Sequence, residues 1–415
     1  MTGNDASSSS HSVQLRILAV HRYFWPDSPP YASMLRAIVN RWKENGHEID
    51  VLSSQPSYKT STRNEKFPKR QMLDGINVIR LNLPHESGRP IVRVFNAIKL
   101  AFAVLTNALI KRYDVIMIST APPVVGGLSA ALATKITGAR FIYHCMDLHP
   151  EVGNISGEFS NPYIYRLLLA LDSWSCKRAN PVVVLSSDME NTLRRRSGGQ
   201  KFKIRIINNF SLPSDVTIPD QPSFDLPHNG LNILFAGNIG RFQGLESCID
   251  AMGLIRNRHD IRLILMGDGF AKTNLQKRAK DKGANVIFIG HQPIEIAKSA
   301  MRHSDLGLVS LMPGVYRYAY PSKTMSYLEQ GCPLVLLIEP ESELAQDVVS
   351  GEYGFCVPVG DSQSLAKLLT RIADDRSWQK KMRERAYEKA KNEFSEPVVL
   401  GKWCDLINLQ SDLNG

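Results

Sequence analysis

Short apolar runs alternate with helix-sized amphipathic segments along most of the chain, and this alternation constrains the fold more than any other feature. The first half contains six such runs, most of them rich in Val, Ile and Leu and each of the length of a strand. Continuous runs of this kind, flanked by helices, are typical of a parallel sheet covered on both faces. The runs occupy residues 15–21, 48–54, 77–83, 113–120, 140–146 and 181–187.

The alternation stops once and then restarts. Residues 211–230 contain four prolines and little periodicity, which indicates a linker between domains. A chain of 415 residues is also too long for one compact core. The second set of apolar runs occupies residues 231–237, 261–267, 285–290, 305–311, 333–338 and 354–359.

We therefore predict two Rossmann-like, doubly wound α/β domains that face a cleft. In open parallel sheets, ligands bind beyond the carboxyl ends of the strands, so the loops after the strands are the places to look for chemistry. The predicted parts are a disordered tail at 1–14, an N-terminal domain at 15–210, a linker at 211–230, a C-terminal domain at 231–394 and a segment at 395–415 that crosses back to the N-terminal domain.

Three further features narrow the class of protein. No uninterrupted run of about 18 or more apolar residues is present, so no segment is expected to span a bilayer. The first 14 residues lack the basic and apolar regions of a signal peptide. None of the six cysteines forms a CxxC pair, which favours buried free thiols in a reducing compartment and gives almost no support for a metal site.

The net charge of +10 is distributed unevenly along the chain. Residues up to Phe210 carry a net charge of +12, whereas those from Ser211 onward carry −2. An excess of positive charge on one half suggests an anionic partner, either a membrane surface or nucleic acid. The chain has no helix-turn-helix, zinc-finger spacing or aromatic RNA-binding pattern, so we expect no nucleic acid.

The segment 89–113 is the candidate for contact with a membrane. It is strongly apolar and carries five basic residues and no acidic ones. Two interpretations stay open. It is either a core helix of the first domain with basic ends, or a helix that also rests on a bilayer surface.

Four motifs follow predicted strands and carry the candidate site residues. The first, at 236–244, contains Gly237, Asn238, Gly240 and Arg241. Glycines let the backbone approach a ligand closely, and the Arg241 guanidinium suits bidentate contact with a phosphate. The alternative is an ordinary strand–helix turn with a surface arginine.

The second motif is MGDG at 266–269, with Gly267 and Asp268. It also follows an apolar strand. An aspartate beside two glycines is more often a tight turn with a helix cap than a binding residue.

The third motif begins with Pro321, Ser322 and Lys323, which start a predicted helix containing Glu329. Proline is favoured at the first helical position. A lysine in the first turn opposes the helix dipole unless an anion is present, which is a hint of function. The alternative is a solvated helix that ends at Gly331.

The fourth motif, at 143–151, brings His144, Asp147, His149 and Glu151 to the end of a strand. Carboxylates and imidazoles at such a place can polarise a hydroxyl or bind a sugar. The spacing does not match a zinc motif. A structural role stays open for each of these residues.

Taken together and in order, the motifs resemble the retaining glycosyltransferases of the group 1 family, which have the GT-B fold. The resemblance extends over nearly the whole chain after the tail. It rests on HRYFWPDSPPYASM, WKENGHEIDVLSS, YDVIMISTAPP, MDLHPE, AGNIGRFQGLE, LILMGDG, YPSKTMSYLEQGCPLV and GEYGFCVPVGD.

The resemblance implies an activity. A nucleotide-diphospho-sugar, with a UDP-sugar favoured, binds mainly to the second domain, and a lipid-linked or oligosaccharide acceptor binds mainly to the first. The sugar is transferred with retention of anomeric configuration, and no metal or other cofactor is needed because basic residues neutralise the leaving diphosphate. Such enzymes act in surface polysaccharide or lipopolysaccharide biosynthesis. We therefore expect a cytoplasmic enzyme associated peripherally with the anionic membrane surface through its basic N-terminal domain.

The chain departs from the family pattern in the second domain. Asn238 and Gln243 occupy places where many members carry an arginine and a lysine, so Arg241 is expected to take over the phosphate role. Pro321 occupies the place of the first glutamate of the usual pair, while Glu329 matches the second, which binds the nucleotide ribose. Lys323 belongs to a PSK form found in one branch of the family and is expected to contact phosphate.

The chain also departs from the pattern in the first domain. Met146 stands where some members have a histidine with an assigned catalytic role, and His149 replaces a common tryptophan. We therefore predict Asp147, Glu151, Arg241 and Lys323 as the catalytic residues. The predicted donor-binding residues are Gly237, Asn238, Gly240, Arg241, Gly267, Asp268, Pro321, Ser322, Lys323 and Glu329.

Two other functions are compatible with this architecture. A sugar-nucleotide 2-epimerase would act without an acceptor and would have a more neutral first domain. A non-catalytic nucleotide-sugar-binding protein would account for the altered glutamate pair.

Overall fold

The computed structural model describes residues 13–27, 30–57, 66–86, 89–198, 202–211, 217–224, 226–227 and 229–408. Within them the chain forms two compact units. The first unit consists of the residues up to Ile142 together with those from Leu400, and the second consists of Tyr143–Val399. The predicted tail at 1–14 lies outside the described residues except for Val13 and Gln14. The predicted domain boundaries stay predictions.

In the described part of the chain, the first sheet has eight strands. They are β1 (Arg16–Val20), β2 (Glu48–Ser54), β3 (Arg70–Leu73), β4 (Ile76–Leu81), β5 (Val115–Ser119), β6 (Arg140–His144), β7 (Val182–Val184) and β8 (Ile204–Ile206). Their order is β3-β4-β2-β1-β5-β6-β7-β8, and the division between the units falls within β6. The assigned strand pairs are parallel except for β3 with β4.

Six of these strands coincide with the predicted apolar runs, and two do not. β3 forms a hairpin with β4 through Asp74 and Gly75, whose φ values are 52° and 78°. Positive φ at both turn positions is the geometry that favours an Asp-Gly hairpin. The side chains of β3 are exposed or half-buried, so no apolar run marks it. β8 is only three residues long and has two exposed positions.

The second sheet has six parallel strands among the residues that the structure describes. They are β9 (Leu231–Ala236), β10 (Ile261–Met266), β11 (Val286–Ile289), β12 (Leu306–Ser310), β13 (Leu334–Leu337) and β14 (Gly354–Val357). Their order is β11-β10-β9-β12-β13-β14. All six match predicted runs, which supports the Rossmann-like α/β class inferred from the sequence.

Both faces of this sheet are covered. Along β9, Leu234 and Ala236 pack into one apolar cluster, while Ile233 and Phe235 pack into another. Successive side chains of a strand point to opposite faces, so each cluster fills one side of the sheet. Burial on both faces explains why β9 is apolar at every position except Asn232 and does not alternate with polar residues.

Within the described residues, fourteen α-helices connect and flank the strands. They are α1 (Pro30–Glu44), α2 (Pro90–Lys111), α3 (Val125–Thr137), α4 (Glu151–Ile155), α5 (Pro162–Arg178), α6 (Ser187–Arg196), α7 (Glu246–Leu254), α8 (Lys272–Lys282), α9 (Ile294–His303), α10 (Lys323–Glu329), α11 (Glu343–Ser350), α12 (Ser362–Asp374), α13 (Gln379–Lys389) and α14 (Glu396–Asn408).

Helix α2 is apolar on two opposite faces. One face is buried and includes Leu100 and Val104, and the helix packs against α3. The other face leaves large apolar side chains in solvent. By length and composition alone α2 is apolar enough to cross a membrane, a test that core helices of soluble proteins also pass, and 33% of its most apolar window is buried. The sequence shows no uninterrupted apolar run of membrane-spanning length here, because Arg93 and Lys99 lie within the helix.

The last described helix, α14, ends within the first unit. Trp403 packs edge-on against Trp42 of α1, with ring centroids 6.0 Å apart. The indole of Trp42 also donates a hydrogen bond to the Trp403 carbonyl (3.3 Å). Arg140 donates to the Leu406 carbonyl (2.8 Å). These contacts attach the end of the chain to the sheet formed by its beginning.

The six cysteines are all free thiols, as predicted. Four are buried, and Cys356 and Cys404 are half-buried. Burial raises the pKa of both Cys248 and Cys332 to about 12, so these two thiols stay protonated at neutral pH.

Candidate functional site

Two loops meet at the carboxyl edge of the second sheet, between β9 and β12. β9 pairs with β10 on one side and with β12 on the other, so the strand order reverses there. Open α/β sheets bind their ligands at such a switch point. A hydrogen bond from the Met312 amide to the Phe242 carbonyl (2.7 Å) joins the two loops. The predicted motifs at 236–244 and 321–323 therefore lie at one edge of the sheet.

Glycines at 237 and 267 let the loops after β9 and β10 touch. A Cβ at Gly267 would lie 1.9 Å from the Gly237 carbonyl oxygen, and the φ of Gly267 is +142°. A Cβ at Gly237, whose φ is +135°, would lie 3.7 Å from the Lys323 Nζ. Any side chain at 267 is excluded by the close approach, and one at 237 would fill the space in front of the lysine.

Lys323 is the most unusual charge at this edge. Its Nζ is buried and has no hydrogen-bond partner among the described residues. The atom lies 3.3 Å from the centroid of the Phe235 ring. Desolvation lowers the pKa of Lys323 to about 7. A buried ammonium without an anion is costly, so an anion placed beside Nζ would stabilise the charged form of Lys323.

Arg241 is the second cation at the same edge. It is exposed and begins a single 3-10 turn, Arg241–Gln243. Its guanidinium carbon lies 3.8 Å from the centroid of the Phe270 ring, and Phe270 is 69% exposed. A planar guanidinium stacked on an aromatic ring loses less freedom when it binds a phosphate. Phe270 thus holds Arg241 beside the loop.

The neutral residues of this loop are also close together. A Cβ at Gly240 would lie 2.7 Å from the side-chain Nδ2 of Asn238 and 3.0 Å from the Oε1 of Gln243. That Gln243 oxygen is buried and accepts no hydrogen bond within the described part of the chain. This edge of the sheet therefore offers one unused acceptor, Gln243 Oε1, in addition to the cations Arg241 and Lys323.

Asp268 fixes the loop geometry. Its carboxylate accepts hydrogen bonds from Lys272 Nζ (2.5 Å) and from the His291 amide (3.1 Å), and its carbonyl accepts from the Ile239 amide (2.9 Å). The hydrogen bond from Lys272 lowers the pKa of Asp268. These contacts give Asp268 a structural role, which was one of the two interpretations of the MGDG motif.

Glu329 ends α10, the helix that Lys323 begins. Its Oε2 lies 2.8 Å from Lys298 Nζ, 2.7 Å from Ser211 Oγ and 3.0 Å from Gln330 Nε2. The side chain of Glu329 is 37% exposed, whereas that of Lys298 is 2% exposed. Three donors therefore hold one carboxylate oxygen of Glu329. The side chain is fixed by these contacts although part of it is exposed to solvent.

Pro321 and Ser322 connect the loop to α10. The Pro321 carbonyl accepts a hydrogen bond from the Thr324 amide (3.1 Å). Ser322 is exposed and makes no side-chain cap for the helix. Both residues thus set the position of Lys323, and the Ser322 hydroxyl is accessible to a ligand.

Asp147 follows β6 and approaches the same loop through its backbone. It forms an antiparallel bridge with Ala319, and the Leu148 amide donates to the Tyr318 carbonyl (2.7 Å). These contacts bring the MDLHPE segment beside the residues that precede Pro321. Desolvation raises the pKa of Asp147 to about 6. Its carboxyl group therefore exchanges a proton close to neutral pH.

Glu151 is placed differently. Both of its carboxylate oxygens accept hydrogen bonds from Arg196, at 2.5 and 2.6 Å from Nη2. Arg196 also contacts Asp172 (2.5 Å) and the His149 carbonyl (3.1 Å). The side chains of Arg196 and Asp172 are 4% and 3% exposed. Glu151 thus completes a buried ion cluster, and its geometry favours the structural alternative over the predicted catalytic role.

The two histidines of this motif are neutral. Burial lowers the pKa of His144 to about 3 and that of His149 to about 4. The His149 Nδ1 is buried and unpartnered within the described ranges. Among the described residues, no group of three or more His, Cys, Asp or Glu side chains is arranged to hold a metal ion.

The switch point of the first sheet lies between β1 and β5. His21 directly follows β1, and its Nδ1 lies 2.5 Å from the hydroxyl oxygen of Ser119, the last residue of β5. Arg22 forms an ion pair with Glu86, and the Arg22 side chain is 10% exposed. The carboxyl edge of the first sheet therefore carries its own polar cluster.

The sequence motifs did not predict three residues that contact the candidate site residues. They are Lys298, which pairs with Glu329, Phe270, which stacks on Arg241, and Arg196, which pairs with Glu151. For Lys298 a signal existed, because it shares a helical face with the apolar residues Ile294 and Met301, where a lysine is unexpected. An aromatic residue directly after a glycine-rich loop was a weaker signal for Phe270. Nothing in the local sequence distinguished Arg196 from its arginine neighbours.

Comparisons with known families agree with this arrangement. Residues 31–209 match the family described as glycosyl transferase 4-like domain, and residues 230–375 match the family described as glycosyl transferases group 1. The first match covers most of the β1–β8 region, and the second covers the β9–β14 region with the candidate site.

Three curated relatives are bacterial glycosyltransferases. The probable glycosyltransferase WbjE of Pseudomonas aeruginosa is 26% identical over 69% of this chain and 72% of its own length. The putative colanic acid biosynthesis glycosyl transferase WcaI of Escherichia coli is 27% identical over 52% of this chain and 55% of its own. The lipopolysaccharide core biosynthesis glycosyltransferase LpsE of Rhizobium meliloti is 26% identical over 50% of this chain and 59% of its own.

Two solved structures show the same fold. Sucrose-phosphate synthase from Thermosynechococcus elongatus superposes with a TM-score of 0.74 at 15% identity, over 96% of this chain and all of the other. Alr3699/HepE from Anabaena, solved in complex with UDP, superposes with a TM-score of 0.68 at 17% identity, over 95% of this chain and all of the other. At this identity the likeness concerns the fold alone.

Proposed function

Because the chain belongs to the group 1 glycosyltransferases with the GT-B fold, we propose that it transfers a sugar from a nucleotide-diphospho-sugar to a sugar or lipid-linked acceptor. It is a glycosyltransferase of the lipopolysaccharide and exopolysaccharide type, like its relatives WcaI and LpsE. The transferred group is of the hexosyl or N-acetylhexosaminyl kind, and the anomeric configuration is retained, as the family resemblance implies.

The buried ammonium of Lys323 carries the donor assignment. It lies at the switch point of the second sheet without an anionic partner among the described residues. A diphosphate would supply the missing negative charge, and the stacked guanidinium of Arg241 is a second donor of hydrogen bonds at the same edge. HepE was solved with UDP and with UDP-glucose, which favours a UDP-sugar as the donor here.

We propose that Lys323 and Arg241 neutralise the leaving diphosphate, so that the reaction needs no metal. Arg241 is always charged, and Lys323 becomes fully charged when an anion binds beside it. Fixed cations of this kind stabilise the negative charge that develops on the leaving group in the transition state. In this mechanism the acceptor hydroxyl attacks on the face from which the phosphate leaves. The departing phosphate then helps to remove the proton.

Asp147 is the proposed polar contact on the opposite loop. Its backbone pairing with Ala319 holds it beside the segment that leads to Lys323. With a pKa near 6, its carboxylate can accept a hydrogen bond from a sugar or acceptor hydroxyl at neutral pH. Glu151 supports this loop through Arg196 and does not touch substrate in this proposal.

The donor is tested by a thermal-shift screen of the full chain against UDP-, GDP-, ADP- and CMP-sugars. A ligand that binds only the folded state raises the melting temperature. We expect the largest rise with a UDP-sugar. Proton NMR of the product, with the coupling constant of the new glycosidic bond, then tests retention. An inverted product, or no stabilisation by any of the four classes, contradicts the proposal.

We further propose that the acceptor lies at an anionic membrane surface, on the cytoplasmic face. The part of the chain up to Phe210 carries the excess positive charge, with a net charge of +12. Basic residues near an anionic leaflet contribute about 1 kcal/mol each. A lipid-linked acceptor would be presented at such a surface.

Helix α2 supplies the apolar part of this surface. Exposed apolar residues lie along one face at helical spacing, opposite the face that is buried in the first unit. Phe102 is 67% exposed and Ile91 is 84% exposed. An interfacial helix inserts such a stripe into the boundary between headgroups and acyl chains. The stripe consists of Ile91, Val94, Phe95, Ile98, Phe102 and Leu109.

The two alternative functions receive less support. A sugar-nucleotide 2-epimerase would not need a basic, apolar surface on the first half of the chain. A non-catalytic binding protein would not need Asp147 beside the loop of Lys323. The family matches and the curated relatives are glycosyltransferases, which favours transfer over both.

A further inference from the structure

We propose that Lys298 is a positioning residue for the donor ribose: it fixes Glu329 so that one carboxylate oxygen is held and the other is presented to the ribose hydroxyls. This inference rests on the proposed function, since it requires a nucleotide at the site of Glu329. It assigns a role to a residue that lies on a different helix and does not itself touch the ligand.

The first observation is the burial of Lys298. Its side chain is 2% exposed, although it belongs to the apolar face of α9 with Ile294 and Met301. Burying an ammonium is costly unless it is paired and hydrogen-bonded. Its Nζ lies 2.8 Å from the Glu329 Oε2, so the pair links α9 to the end of α10.

The second observation is the convergence of donors on one oxygen. Besides Lys298, Ser211 Oγ lies 2.7 Å and Gln330 Nε2 lies 3.0 Å from the same Glu329 Oε2. A carboxylate oxygen accepts about two hydrogen bonds in its lone-pair directions. Oε2 is therefore saturated, and a further donor must use Oε1.

The third observation is the exposure of Glu329. Its side chain is 37% exposed although Oε2 is engaged by three donors, so we infer that Oε1 is the oxygen open to a ligand. A carboxylate that is held in one orientation accepts a pair of hydroxyls with less loss of side-chain freedom than a mobile one. The ion pair thereby selects ligands that carry ribose hydroxyls.

This role makes a specific prediction about ligand binding. Hydrogen bonds to charged groups contribute enough to change affinity by roughly tenfold or more. The wild-type protein should bind UDP about tenfold more tightly than 2′-deoxy-UDP or 3′-deoxy-UDP, whichever lacks the hydroxyl that Glu329 accepts. In Lys298→Met this preference should fall at least threefold, and in Lys298→Arg most of it should remain because the charge is kept.

The experiment is isothermal titration of the full chain with UDP, GDP and ADP and with their deoxy counterparts. The matched control is Lys389→Met, which breaks another ion pair of the second unit, Lys389 Nζ to Asp347 Oδ1 at 2.9 Å. The control should lower stability but keep the ribose preference. Glu329→Gln should lose the preference as fully as Lys298→Met, and the double variant should lose no more.

Each outcome decides the matter. If Lys298→Met binds all nucleotides more weakly by the same factor, Lys298 supports the fold alone and the inference is wrong. If Lys298→Met does not fold, Ser211→Ala, which removes a milder donor to the same oxygen, must still reduce the preference for the inference to stand. If the wild-type protein binds none of the nucleotides, the proposed donor function fails, and this inference fails with it.

Discussion

The Lys323 Nζ lies 3.3 Å from the centroid of the Phe235 ring, and no anion accompanies it among the described residues. The π-face of an aromatic ring attracts a cation but neutralises it only in part. The ring thus holds the ammonium at the end of β9 while leaving it able to pair with a phosphate.

Lys323→Met should weaken the binding of UDP-glucose by about ten- to a hundredfold, because a charge-assisted contact to the diphosphate is lost. Desolvation lowers the pKa of Lys323 to about 7 in the free protein, and a bound diphosphate would raise this pKa. Binding above pH 7 therefore takes up a proton, and wild-type affinity should fall up to about tenfold per pH unit from pH 7 to 9. Calorimetry in buffers of different ionisation enthalpy measures this uptake. A flat pH profile in the wild type, or a sloped one in Lys323→Met, contradicts it.

Phe270→Ala should weaken donor binding about two- to fivefold, because the stacked Arg241 guanidinium becomes mobile. Arg241→Ala should have a larger effect, and the double variant should be no worse than Arg241→Ala alone. Phe270→Tyr keeps the ring and should bind like the wild type. The matched control is Tyr387→Ala, an aromatic residue that is 55% exposed on α13. Additive effects of Phe270→Ala and Arg241→Ala would remove the link between the two residues.

Asp147→Asn and Glu151→Gln should separate chemistry from stability. Removing one partner of the buried Glu151–Arg196–Asp172 cluster should cost about 3 kcal/mol of unfolding free energy. The raised pKa of Asp147 means that its folded form binds more protons than the unfolded chain between pH 3.8 and about 6. The contribution of Asp147 to stability therefore falls as the pH rises from 3.8 to about 6 and stays unfavourable above it. Asp147→Asn should raise the free energy of unfolding at pH 7 to 8 by roughly 1–3 kcal/mol.

The two variants should differ in the opposite sense in kcat: the more stable variant, Asp147→Asn, should be the less active one. Asp147→Asn should lower kcat with little change in stability below pH 4, whereas Glu151→Gln should keep most of its kcat per folded molecule. Urea unfolding and transfer assays on the same preparations measure both quantities. If Glu151→Gln is as stable as the wild type but inactive, the predicted catalytic role of Glu151 is right and the structural assignment is wrong.

Ile98→Glu with Phe102→Glu should abolish binding of the protein to vesicles of phosphatidylcholine and phosphatidylglycerol, because two carboxylates interrupt the apolar stripe of α2. Donor binding should not change. Leu254→Glu is the matched control, since Leu254 is 59% exposed on α7 in the second unit. Wild-type binding should weaken as salt rises, because Lys and Arg contacts to the headgroups are screened. No vesicle binding by the wild type at low salt rejects the membrane proposal.

Much of the fold was readable from local sequence. The strands β1, β5, β9 and β13 are almost entirely buried, so their residues are predominantly apolar and stand out in the sequence. The edge strand β3 was not predicted, because its side chains are exposed or half-buried and only its Asp-Gly turn marks it. The length and position of α2 were also predicted from its apolar composition. Its exposed apolar face could be identified only once the structure showed which face is buried.

The candidate site divides in the same way. The glycines at 237 and 267 and the cations at 241 and 323 were selected because they follow strands, and strand ends share one edge of a parallel sheet. Their partners were not selected. Phe235, Phe270 and Lys298 lie on other elements, and no spacing rule connects them to Lys323, Arg241 and Glu329.

By itself, the sequence determined the class of fold, the sheet edge that carries the candidate site and the types of charge found there, because each depends on periodicity and on the order of elements. Only the tertiary structure decided which charges are free and which are engaged. Glu151 and Lys323 are both charged residues of conspicuous motifs, yet one is neutralised by Arg196 and the other has no counterion among the described residues. The energy of a buried charge depends on its partners across the fold, and those partners are set by packing between distant elements.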